Sequence, residues 1–204
     1  NMGGGAVWSV DEVAAVADAA RATGVKVHMD GARLANAAVA AGVPLAAYGQ
    51  LCDTVWLDFS KGLGAPVGAC LAGSKDAIHE AWRIKQQLGG AMRQAGVVAA
   101  AALHALDHHL DRLAEDHARA ARLADAIAEI DGLALVNPPV ETNLVFVSTA
   151  DSGWSAPALS EALAARGVRI GAMGSHHLRA CTHLDVDDAG IEQAIAALRE
   201  ILVG

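Results

Sequence analysis

Apolar and polar positions alternate between two periods along this chain, one suited to helices and one to strands. Behind Ser9, the residues Val13, Val16, Ala17 and Ala20 recur at helical spacing, and Glu12 completes an S-x-x-E capping box. Gly24 closes that helix, and the apolar run 25–29 reads as a strand ending on Asp30. A helix over 32–41 is stopped by Gly42. Strands are expected over 54–59, ending at Ser60-Lys61, and over 67–72, with a helix over 75–87 behind them. Strands alternating with helices predict βαβ units and a parallel or mixed sheet. In such sheets chemistry gathers at the carboxyl ends of strands, which is where Asp30 and Lys61 stand.

After a Gly89-Gly90-Ala91 turn, helical periodicity continues over 94–130, long enough to bend or break and to connect two domains. Beyond it, short strands at 133–136, 143–148, 168–170 and 178–181 are interleaved with helices at 156–166 and 187–203. That texture describes a small α+β unit. The expected division is therefore a first part over 1–93, a connecting helix over 94–131 and a small domain over 132–204.

Charge and cysteine content narrow the partners. The net charge is −8 and there is no Lys/Arg cluster, which argues against nucleic acid and against an acidic membrane surface. Cys52, Cys70 and Cys181 are far apart and form no CxxC pair, so neither a disulfide framework nor a zinc site is signalled. The longest apolar stretch, 95–106, is mostly Ala and too short to span a bilayer; no signal peptide is visible, and a soluble cytoplasmic protein is expected. His104 and His108 are spaced i, i+4 beside His109, but without an HExxH frame they read as a solvated or interface face, and no metal is expected. His176, His177 and His183 read as structural, while His28 shares the strand face of Asp30.

Two segments carry chemistry: His28-Met29-Asp30-Gly31-Ala32-Arg33, and Asp58 to Gly68, which reads DFSKGLGAPVG. A lysine among glycines can form a Schiff base with an aldehyde cofactor, and a carboxylate can keep that cofactor's ring nitrogen protonated. Each segment alone is weak, because a strand-end Asp often caps a helix and Ser-Lys-Gly is common. Their order and spacing together carry the signal.

Four segments in order, HMDGAR, SKGLGAPVG, GGAMRQAG and THLDV, resemble those of the low-specificity L-threonine aldolases. These are fold-type-I pyridoxal-phosphate enzymes, close to the aromatic β-eliminating lyases. The resemblance implies an α/β fold: the C-terminal part of an aspartate-aminotransferase-like large domain with a mostly parallel sheet, followed by a small α+β domain. It implies Lys61 as the Schiff-base lysine and Asp30 as the partner of the pyridine nitrogen. Arg33 and Arg179 are implied to hold the substrate carboxylate, a task suited to the guanidinium fork. Arg93 is implied to reach the cofactor phosphate of a neighbouring subunit, in a homodimer or homotetramer with active sites at the dimer interface. Ser60 is open between the cofactor phosphate and the local backbone. The implied reaction is retro-aldol cleavage of a β-hydroxy-α-amino acid to glycine and an aldehyde, with β-elimination and a non-catalytic module as the rival readings.

The chain departs from the family pattern in three places. The Gly triplet before Met92 is one Gly short, Lys85-Gln86 stands where the family has Arg-Lys, and Asp58 places a carboxylate where many relatives have an uncharged residue. The resemblance also implies a substantial N-terminal stretch upstream of Asn1, holding a Gly-Thr turn and a ring-stacking His. On that ground the chain alone is expected to be inactive.

Overall fold

The structure, a computed structural model, describes residues 3–204. It divides into two compact units, one over Trp8–Leu113 and one over Ala114–Gly204 joined by the start of the chain up to Val7.

In the first unit, α1 (Val10–Ala22) opens with the expected capping box: the Ser9 hydroxyl accepts the Glu12 N–H at 3.2 Å, and the Glu12 carboxylate accepts the Ser9 N–H at 2.7 Å. Then follow β1 (His28–Gly31), α2 (Leu34–Ala41), α3 (Leu45–Gly49), β2 (Thr54–Asp58), β3 (Ala69–Gly73), α4 (Lys75–Gln87) and α5 (Gly96–His108). The sheet order is β1-β2-β3, with β1 parallel to β2 and β2 antiparallel to β3, so the sheet is mixed. Crossing from β1 to β2 takes two helices, as a parallel pair requires, whereas β2 and β3 are joined by a loop.

One sheet face carries Met29, Val55 and Leu57 against the buried Leu34, Ala38 and Tyr48 of α2 and α3. The Tyr48 hydroxyl donates to the Trp8 carbonyl at 2.7 Å, which gives the buried phenol its partner. A second cluster joins Phe59, Leu63 and Ala65 of the β2–β3 loop to Ala35, Ala102, Ala105 and Leu113. That cluster fixes the loop in which Lys61 lies. By contrast every residue of β3 is exposed, and α4 buries none of its residues.

The helical periodicity over 94–130 resolves into two helices. After α5 the chain turns at His109–Arg112, where His109 N–H bonds to Ala105 O and Leu113 N–H to Leu110 O, before α6 (Leu113–Ala128) begins. The second unit continues with β4 (Ala134–Leu135), β5 (Leu144–Ser148), α7 (Ala156–Ala164), β6 (Gly171–Ala172), β7 (His177–Cys181) and α8 (Asp188–Leu202). Its sheet, in the order β4-β5-β7-β6, is antiparallel throughout. Val145, Val147, Leu178 and Ala180 pack against buried residues of α6, α7 and α8 in one core. The strand expected at 168–170 is absent: Val168 and Ile170 are buried in that core, and the ladder forms one residue later, at Gly171–Ala172. No helix among the described residues is long and apolar enough to cross a membrane.

Candidate functional site

Asp30 is the third residue of β1 and stands in register with Trp56 of β2. Paired residues of neighbouring strands point to the same face, and the period of two brings Asp58 to that face as well. Met29, Val55 and Leu57 are turned into the core, so His28, Asp30, Trp56 and Asp58 line the opposite side. Asp30 is exposed there, and its Oδ1 accepts the Ala32 N–H at 3.0 Å. His28 reaches Thr54 rather than the Asp30 carboxylate, with Nδ1 2.9 Å from the Thr54 hydroxyl.

Between Asp30 and Arg33 the chain requires glycine. A Cβ on Gly31 would lie 1.9 Å from the Trp56 carbonyl oxygen, so any side chain would force β1 and β2 apart. Arg33 then caps α2 with its backbone at φ −132°, ψ 31° and makes no side-chain cap bond. Its Nε is buried without a hydrogen-bond partner among the described residues, a donor open to an anion.

Lys61 sits in the loop between β2 and β3. Phe59 N–H bonds to Gly68 O at 3.0 Å, Ala65 N–H to Phe59 O at 2.8 Å, and Gly64 N–H to Lys61 O at 2.9 Å, which folds the loop on itself. Just past α5, His109 Nδ1 lies 2.7 Å from the Leu63 carbonyl and ties the loop to the end of the helix. A Cβ on Gly62 would come within 2.9 Å of both the Asn36 and Leu113 side chains, which explains the bare position beside the lysine.

The Lys61 side chain turns back over the sheet. Its Nζ lies 5.3 Å from the Trp56 ring centroid, a cation–π distance, and donates to Asp58 Oδ2. Asp58 is buried, and its Oδ1 accepts both the Ser60 N–H at 3.0 Å and the Ser60 hydroxyl at 2.7 Å. Burial pushes the Asp58 carboxyl up, but the hydrogen bonds from Lys61 and Ser60, with the Lys61 charge, outweigh it and leave it below the usual carboxylate range. The Asp30 side chain and the Lys61 amine thus stand over one face of two neighbouring strands. The hydroxyl of Ser60 is engaged with Asp58. Asp58 is the residue whose part the sequence left blank, since nothing in it shows that Lys61 folds back.

The other two residues lie on other elements. Arg93 is exposed in the turn between α4 and α5. Arg179, half-buried on β7, is paired with Phe146 and Gly171 in the second unit. The His104 ring lies 4.4 Å from that of His108 and 5.2 Å from that of His109, centroid to centroid, and among the described residues no group of three or more His, Cys, Asp or Glu is arranged to hold a metal.

The sequence profile of the β-eliminating lyase family matches residues 1–152. The low-specificity L-threonine aldolase 1 of Arabidopsis thaliana is 36% identical over 98% of this chain and 56% of its own length. The low specificity L-threonine aldolase of Escherichia coli K12 is 40% identical over 89% of this chain and 53% of its own. The chain therefore spans about half the length of these relatives. Among solved structures, a putative aromatic amino acid β-eliminating lyase/threonine aldolase from Exiguobacterium sp. 255-15 superposes with a TM-score of 0.81 at 23% identity, covering 97% of this chain and 58% of that one. A putative L-allo-threonine aldolase from Listeria monocytogenes gives 0.79 at 22%, covering 97% and 58%. These likenesses show the fold, the fold-type-I α/β architecture expected from the motifs.

Proposed function

We propose that this chain, which belongs to the β-eliminating lyase family, is the lysine-bearing part of a pyridoxal-phosphate-dependent aldehyde lyase acting on threonine-type amino acids. The observation that carries the reading is the placement of Lys61 and Asp30 over one sheet face. An amine and a carboxylate so placed fit a cofactor with an aldehyde at one end and a basic ring nitrogen at the other. The buried, unpartnered Nε of Arg33 fits an anionic group beside them. Similarity to relatives named low-specificity L-threonine aldolases supports the aldolase reading over β-elimination.

Pyridoxal phosphate, when bound, supplies an electron sink for the pair left on Cα when a bond there breaks. Lys61 would join to it, and Asp30 would hold a proton on its ring nitrogen. Arg33 orients the substrate by its carboxylate. Arg179 has the same role in this reading, which for that residue rests on the motif resemblance alone. In the reaction the β-hydroxyl gives up its proton, the Cα–Cβ bond breaks and an aldehyde departs. A proton returned to Cα then gives glycine.

Arg93 is read as a phosphate contact toward a neighbouring subunit of a homodimer or homotetramer. Its exposure, beside the exposed Leu88, Met92 and Val97, supports that reading. Ser60 takes part in phosphate binding only if its hydroxyl turns away from Asp58. A cytoplasmic location is part of the proposal and is supported by three free cysteines, with Cys70 exposed.

The test is Lys61→Ala in the protein that carries this chain. Loss of the visible absorbance of lysine-bound cofactor, with loss of glycine and acetaldehyde formation from L-threonine, is expected. Persistence of that absorbance refutes the role of Lys61. Release of ammonia and a keto acid in place of glycine would favour β-elimination.

A further inference from the structure

Asp58 is the acid of this site that the proposed reaction does not use. Its side chain is only 6% exposed, whereas that of Lys61 is 37% exposed. A buried carboxylate stays ionised only if donors surround it, and this one has three: the Ser60 amide, the Ser60 hydroxyl and the Lys61 ammonium. Two of the three come from the residue next to the lysine and keep the carboxylate aimed at it. Trp56 closes the other side with its ring against the same ammonium.

We propose that Asp58 is a positioning residue, the counter-ion that seats the Lys61 amine against the sheet whenever the lysine is not joined to cofactor. The inference rests on the reading of Lys61 as the cofactor lysine. Exchange of substrate for lysine is amine for amine. With the cofactor bound, a bond from the substrate nitrogen would take the place of the bond from the Lys61 nitrogen. The substrate ammonium would give up a proton to attack, and the departing Lys61 amine would take one up, so protons and charge balance. Asp58 gives the departing ammonium a fixed seat. Joined to cofactor, Lys61 would keep at most one N–H in place of three, so the buried Asp58 carboxylate would be less fully satisfied. Asp58 therefore favours release of the lysine.

The experiment uses the protein that carries this chain, stripped of cofactor. Trace acetylation with acetic anhydride at mildly alkaline pH, read by mass spectrometry, gives the labelling of Lys61 relative to Lys75, an exposed lysine at the first position of α4. Asp58→Asn keeps the size and the acceptor for Ser60 but removes the charge. It is expected to raise the Lys61-to-Lys75 ratio about tenfold, the release of one charge-assisted hydrogen bond. An unchanged ratio overturns the proposal. Should Asp58→Asn not fold, the wild-type chain decides: its ratio must rise when urea unfolds it, and equal ratios in the folded and unfolded chain overturn the proposal. No cofactor enters this measurement, so its failure is distinct from a failure of the Lys61→Ala test.

Discussion

The two units of this chain invest their apolar residues differently. The second unit gathers twenty buried residues into one cluster that draws on α6, α7, α8, β5 and β7. In the first unit the buried clusters have seven and three members, β3 is exposed along its whole length, and α4 leaves Trp82 and Ile84 in the open. Lys61, Asp30 and Asp58 all belong to this sparser unit. The lysine loop is thus held by a smaller cluster than the one that packs the second unit.

The sharpest way to break this comparison is to delete the same kind of apolar bulk in each unit. Leu159 is completely buried on α7, and Leu159→Ala is expected to cost ~3 kcal/mol in denaturant unfolding of the second unit. Trp82→Ala on the exposed face of α4 is expected to stay within ~0.5 kcal/mol. Equal losses would show that the first unit's exposed helix is packed after all.

A smaller effect distinguishes helices held by their caps from helices held by a core. Ser9→Ala and Ser155→Ala each remove an N-cap acceptor, worth about 1 kcal/mol. Only Ala17 of α1 is buried, so its loss is expected to appear as faster amide exchange confined to α1. Three residues of α7 are buried, so the second loss is expected to spread over the whole unit. Identical exchange patterns would erase the distinction.

The smallest difference is in acid. Burial lowers the His117 pKa, so below about pH 6.5 the unfolded chain takes up a proton that the folded second unit resists, and stability declines from there. Asp58 has a lowered carboxyl pKa, so its contribution is whole above about pH 3.9 and is lost only as the pH falls through its lower folded value. Exchange followed down a pH series should therefore show the His117 helix loosening before β2. The reverse order would contradict both assignments.

Much of this organisation is legible in the sequence. The Ser9–Glu12 box, the helix Lys75–Gln87 and the strand that starts at Thr54 follow from caps and periodicity, which are local. What is not legible depends on distant partners. α3 has five residues, too few to show a period. Hydrophobicity marks Val168 and Ile170 as buried but cannot say that the ladder starts at Gly171. The break after α5 carries no Gly or Pro to announce it. At the site, residue types and order point to Lys61 and Asp30. The return of the lysine onto Asp58, and the Trp56 ring beside it, depend on the register of β1 on β2 and the path of the loop.

Asp58, Ser60 and Lys61 fall within four consecutive residues, and their bonds to one another run through no other segment. The acid and the amine therefore travel together. A shift of β2 against β1 would change the distance from lysine to Asp30, yet leave the lysine and its counter-ion in the same relation. The tetrapeptide behaves as a portable cassette, in which the partner of the amine is set locally and only its address is set by the sheet.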